Sequence, residues 1–132
     1  MSGRKPMSLV LILARDLATH LATPIYIADA DGNLVYFNEP AERIASVRFR
    51  EHRDKTVDDF VKELAPETLD GKPLPREQQP GGIAFTQRRH AHATMRITGF
   101  DGQKRTVQTT AHPLLGPDDE FHGIMSIFWE LS

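Results

Sequence analysis

Cysteine is absent from the 132-residue chain, which excludes disulfides, thiolate zinc sites, cysteine nucleophiles and cysteine-linked chromophores. The absence fits a reducing compartment, and a cytoplasmic location is expected. Charge of one sign does not accumulate either: 16 basic against 18 acidic residues leave a net charge of −2. The balance is even, with 9 basic and 10 acidic residues in positions 1–66 and 7 and 8 in positions 67–132. Without a basic excess, nucleic acid is not an expected partner. Long apolar runs are also missing. Gly3-Arg4-Lys5 ahead of Leu9-Val10-Leu11-Ile12-Leu13-Ala14 imitates a signal peptide, but Arg15 and Asp16 end the run at six residues. A secretory segment needs about 7–15 apolar residues and a spanning helix about 20. Neither a leader nor a membrane partner is expected.

What is present suits one domain. Hydrophobic residues make up 39% of the chain, enough for a core at this length. Residues 7–21 read as a helix capped by Ser8, with Val10, Leu13, Ala14, Leu17 and Leu21 on one stripe. Leu9 and Ile12 lie off that stripe, which calls for deeper burial in the domain or for a second subunit. After Pro24, residues 25–28 and 34–37 are β-rich and flank a turn at Asp31-Gly32. Asn38 then caps a helix with Pro40 early in it and Ile44 pointing inward. Thr56-Val57-Asp58-Asp59 has capping-box spacing, and Phe60, Val61 and Leu64 follow on a short helix closed before Pro66.

Residues 66–82 hold four prolines and three glycines and read as a loop, followed by one helical turn at 83–87. Strands are predicted at 91–98, 104–114 and 122–131, joined by turns at Gly99-Phe100-Asp101-Gly102 and Gly116-Pro117-Asp118-Asp119. Two hairpins separated by short helices make an α+β domain with an antiparallel sheet. Strand parity assigns faces. Ala91, Ala93, Met95 and Ile97 share one side with Val107, Thr109 and Ala111. The last strand is apolar on both sides, with Ile124, Ser126 and Phe128 against Met125, Ile127, Trp129 and Leu131. A strand apolar on both sides is covered on both sides, and the helix at 7–21 is the expected second cover.

Asp29-Ala30-Asp31-Gly32-Asn33-Leu34-Val35-Tyr36-Phe37-Asn38-Glu39-Pro40-Ala41 resembles the opening of a PAS domain. Leu69-Asp70-Gly71-Lys72-Pro73-Leu74-Pro75, Gln79-Pro80, Asp101-Gly102-Gln103-Lys104-Arg105, Thr110-Ala111-His112-Pro113-Leu114 and the run from Gly123 to Ser132 resemble later segments of the same family. The likeness covers residues 22–132, with residues 1–21 as a flanking helix, and is weakest over 48–65. It implies a five-stranded antiparallel PAS sheet with short helices on one face, enclosing a small pocket, and a sensory role in bacterial signalling without catalysis. The implied pocket lining is Met95, Ile97, Val107, Thr109, Ile124, Ser126 and Phe128, closed by Tyr36, Ile44 and Phe85. Such a lining suits a small apolar guest or a packed core with no cofactor. A homodimer is expected through Leu9, Ile12 and Leu13 with Met125, Ile127 and Trp129. The chain ends just after the last strand, so output is expected through a changed dimer or a downstream signalling protein, or through an effector missing from an excised domain.

The same resemblance argues against two cofactors. Flavin light sensors of this family use a cysteine that this chain lacks. Haem-binding members place a histidine on the long-loop helix, where this chain reads Gln79-Pro80-Gly81-Gly82-Ile83-Ala84-Phe85. His90 and His92 share a strand face near His112 and His122, and scattered surface histidines explain them better than a metal site. Arg48-Phe49-Arg50-Glu51-His52-Arg53-Asp54-Lys55 is broken by acids and reads as a solvated segment, and Arg88-Arg89 as loop arginines facing water. Two rival functions remain: a cofactor-free dimerisation module and a pocket enzyme of the cone-shaped isomerase type. The second needs an acid or base inside the pocket. Asp29, Asp31 and Asp101 lie in turns and Glu130 at a strand end, so no catalytic residue is expected.

Overall fold

The computed structural model describes residues 7–131; the basic Gly3-Arg4-Lys5 start and Ser132 lie outside them. Helix α1 (Leu9–Thr19) leads into β1 (Ile25–Asp29) and β2 (Leu34–Phe37). Three short helices follow, α2 (Glu39–Ala45), α3 (Val57–Glu63) and α4 (Pro80–Gln87), and then β3 (Ala91–Thr98), β4 (Lys104–Leu115) and β5 (Phe121–Glu130). The strands form one antiparallel sheet in the order β2-β1-β5-β4-β3. No helix among the described residues is long and apolar enough to cross a membrane.

The helix starts are chemical. The amide of Leu11 donates to the Ser8 hydroxyl, that of Ala41 to Asn38 Oδ1 and that of Asp59 to the Thr56 hydroxyl, each satisfying an orphan donor of a first turn. Asn38 does more than cap. Its Oδ1 also accepts from the Ile25 amide at 3.0 Å, and its Nδ2 donates to the carbonyls of Ala18 and Thr23. One side chain, 1% exposed, thus joins the end of α1, the start of β1 and the start of α2. The loop expected through residue 82 ends earlier, because Pro80 is well suited to a first helical turn and α4 begins there. A Cβ on Gly82 would run into the Arg76 carbonyl oxygen, so its glycine allows α4 to seat against the 3₁₀ turn Arg76–Gln78.

Two cores lie on the two sides of the sheet. On one, Leu34, Phe37, Met95, Ile97, Val107, Ile124 and Phe128 pack with residues of α2, α3 and α4. On the other, α1 buries Leu11, Ala14 and Ala18 against Ile25 and Ile27, with Met125 and Ile127 packed alongside. The helix therefore covers the second sheet face as expected, but through a different stripe. Leu17 and Leu21, read on one stripe with Ala14, instead point out with Leu9 and Leu13. The small residues Ala14 and Ala18 let the helix approach the sheet closely, and the bulky leucines take the open side.

Candidate functional site

The helix side of the sheet holds a small apolar chamber. Five residues expected in a pocket line it: Met95 and Ile97 from β3, Val107 and Thr109 from β4, and Phe128 from β5. Alternation along three adjacent strands brings them together, as parity requires. The opposite wall is Phe37, Ala41, Ala45, Phe60, Val61 and Leu64. Tyr26, Gln79, Pro80 and Gly81 complete it. Its volume is about 30 Å³, far below the roughly 150 Å³ of an engineered apolar cavity that takes benzene.

Three expected pocket residues stand around this chamber and two stand apart. Phe85 and Ile124 line a second, larger crevice of about 270 Å³ beside it, between α3 and α4. Ser126 is fully buried opposite Tyr26 in the β1–β5 ladder. Ile44 packs on the outside of the same core. Tyr36 is a correction. It pairs with Ile27 and so shares the α1 face, where it is part of the second core. The tyrosine at the pocket is Tyr26, which parity on β1 identifies: Ile25 and Ile27 face α1, so Tyr26 faces the chamber.

Tyr26 also belongs to both spaces, as do Val61, Gln79 and Gly81. Its ring leans on Phe128 at 6.3 Å, and a Cβ on Gly81 would lie 2.7 Å from its hydroxyl. The missing side chain at 81 is therefore what makes room for the tyrosine that divides chamber from crevice. Burial raises the Tyr26 pKa, an effect that Ser126 partly opposes and Asp58 adds to, so the hydroxyl stays protonated at neutral pH. Thr109 is the anomaly of the chamber: 3% exposed, it turns a hydroxyl toward apolar walls, and that oxygen has no hydrogen-bond partner. At the outer rim of the crevice, Arg76 Nε lies 2.8 Å from Asp58 Oδ1, and the guanidinium stands 5.4 Å above the Phe85 ring.

The residues present offer no attachment for haem through α4 or for a cysteinyl flavin adduct: α4 carries no histidine and the chain lacks cysteine. The strand histidines are engaged elsewhere. His92 Nδ1 lies 2.6 Å from the Thr110 hydroxyl and Nε2 3.1 Å from Gln108 Oε1, while His122 Nε2 lies 2.7 Å from Glu120 Oε1 without the geometry of a hydrogen bond. His90 and His112 lie ring to ring at 6.2 Å, and among the described residues no three His, Asp or Glu side chains group to hold a metal. Arg88 does not simply face water, since its guanidinium sits 3.7 Å over the Phe121 ring. Within the basic segment, His52 is buried between Phe60 and Phe100, which a solvated reading of residues 48–55 missed.

On the other side of the sheet, the expected dimer residues divide. Met125 and Ile127 lie under α1. Leu9 and Leu13 are exposed at 68% and 59%, Leu17 adds 55%, and Trp129 is exposed near the end of the central strand β5, opposite Gln108 of β4. Ile12 is half-buried.

An antiparallel five-stranded sheet with short helices closing one face over a small chamber is the architecture of a sensory α+β domain. The PAS fold family profile matches residues 18–132, and the chain belongs to that family, whose fold is generally sensory and non-enzymatic. Solved structures agree on the fold. The PAS domain of BvgS from Bordetella pertussis is 19% identical with a TM-score of 0.64, over 92% of this chain and 85% of that one. The Rhodobacter sphaeroides LOV protein gives 15% and 0.72 over 95% and 69%. A PAS domain from Colwellia psychrerythraea gives 13% and 0.63 over 92% and 97%. No curated protein matches the chain by sequence.

Proposed function

We propose that this PAS domain senses a small, largely apolar molecule that reaches the chamber between α3 and α4, and relays its presence through a homodimer built on α1 to a downstream signalling protein. The observation that carries the reading is Thr109. A buried hydroxyl without a partner costs on the order of 1–3 kcal/mol, and a guest with one polar atom would recover that cost. Around it the walls are apolar, and Met95 is a side chain that repacks readily, so the chamber can widen at the expense of the crevice. The inner lining holds no carboxylate among its residues, which supports binding rather than acid–base catalysis. A cytoplasmic site of action goes with this reading, on the support of a chain without cysteine.

A second reading is favoured by the chamber's 30 Å³: a dimerisation module whose core is simply packed. Native mass spectrometry of the purified protein separates the two. An added mass on the folded protein, lost in Thr109→Val, supports the sensor. A clean unliganded dimer, together with a Thr109→Val variant unchanged in stability, supports the module and removes Thr109 from the argument.

A further inference from the structure

The crevice beside the chamber has a polarity that the chamber lacks. Its floor is Tyr26, Val57, Val61, Phe85 and Ile124, and its rim carries Asp58, Lys62 and Arg76. Asp58 and Lys62 stand one turn apart on α3, the i, i+4 spacing that places both on one side of a helix. Arg76 comes from the opposite bank. Its backbone is held where α4 seats on it through Gly82, and its guanidinium is held over Phe85. Two cations and one carboxylate leave the rim net positive. The Arg76–Asp58 pair is 41% and 55% exposed at its side chains, so it is weak and easily exchanged.

Resting on the reading of the chamber as a guest site, we propose that the guest is an anionic amphiphile, specifically a small aliphatic carboxylate with one hydroxyl or carbonyl toward the far end of its chain. The chain occupies the crevice floor and passes Tyr26, so that its inner polar atom meets Thr109 in the chamber. Its carboxylate replaces Asp58 as the partner of Arg76, with Lys62 as the second cation. Released Asp58 remains in the first turn of α3, where a negative charge is favourable, so the exchange leaves no charge stranded. Burial of the guest's apolar chain offsets the loss of the weak Arg76–Asp58 pair, and the apolar walls reject a head group placed the other way.

The experiment compares sodium hexanoate with 1-hexanol by isothermal titration calorimetry on the intact protein. Hexanoate is expected to bind roughly tenfold more tightly than hexanol, the scale of one charge-assisted hydrogen bond. Arg76→Gln is expected to bring hexanoate down to the hexanol level and leave hexanol unchanged. Asp58→Asn, which removes the competitor, is expected to tighten hexanoate severalfold. Hexanol binding as well as hexanoate, with no effect of Arg76→Gln, overturns the head-group assignment while the chamber reading stands. Absence of binding by both overturns the chamber reading and this inference with it.

Discussion

Asn38 shows how much one side chain carries. Asn38→Ala removes a helix cap and strands the buried Ile25 amide, while the Ala18 carbonyl keeps the amides of His20 and Leu21. With about 1 kcal/mol for the cap and about 1–3 for the orphaned amide, a loss of about 3 kcal/mol in urea unfolding is expected. His52 gives a pH dependence. Burial, first, and the charge of Lys55 lower its pKa below the ordinary 6.5, so the folded protein binds fewer protons than the unfolded chain once pH falls below that value. Its contribution is thus fully present above pH 6.5 and declines as pH drops through the lowered folded value. The urea midpoint is expected to fall over that window, and a flat profile in His52→Phe checks the assignment. Asp101 acts in a lower range. The Arg105 hydrogen bond, then the Gln103 amide, hold its pKa down to about 2, so what it adds is lost only between its ordinary value and about 2. Gly81→Ala tests the wall of the chamber: a methyl group at 81 displaces the Tyr26 ring, and weaker guest binding with modest loss of stability is expected.

At the scale of elements, α1 presents two stripes of opposite character. Leu11, Ala14 and Ala18 attach it to the sheet, while Leu9, Leu13 and Leu17 repeat at intervals of four on the open side. Ridges of that spacing from two helices interdigitate at about −50°, so a crossed pair of α1 helices is the geometry that fits the proposed dimer. Leu13→Glu with Leu17→Glu is expected to halve the mass in sedimentation equilibrium and leave the fold intact. Leu11→Glu, which buries a charge, is expected to unfold the domain instead. A monomeric wild-type protein would remove the dimer from the proposal. The sequence showed the helix and put Ala14 on its covered side and Leu9 on its open side, but it placed Leu17 and Leu21 with Ala14, because hydrophobicity marks a stripe as apolar without saying whether its cover comes from the same chain.

Across the whole molecule, β5 connects the two cores. Ile124, Ser126 and Phe128 face the helix side, and Met125 and Ile127 face α1. A guest that pushes Phe128 outward must move the backbone that also supports Met125 and Ile127, since close-packed interiors transmit displacement rather than absorb it. Binding and dimer geometry are then coupled through one sheet, as linkage requires if the guest prefers one of two arrangements. Hydrogen exchange over residues 9–19 is expected to change when the guest binds. Identical exchange with and without guest would break the proposed relay.

Local chemistry in the sequence determined the elements and their order. Ser8, Asn38 and Thr56 mark helix starts because a short polar side chain satisfies amides that the helix cannot, and strand alternation places Met95, Ile97, Val107, Thr109 and Phe128 on one face because a strand's period is two. The tertiary structure decided everything that depends on distance between segments. It put Tyr26 rather than Tyr36 at the chamber through the β1–β2 register, turned the leucine stripe of α1 outward, buried His52 between two rings, and brought Arg76 to Asp58 across a crevice between elements far apart in the chain. Such contacts are set by packing between segments, where register and approach distance are fixed by the whole core at once and by no single stretch of residues.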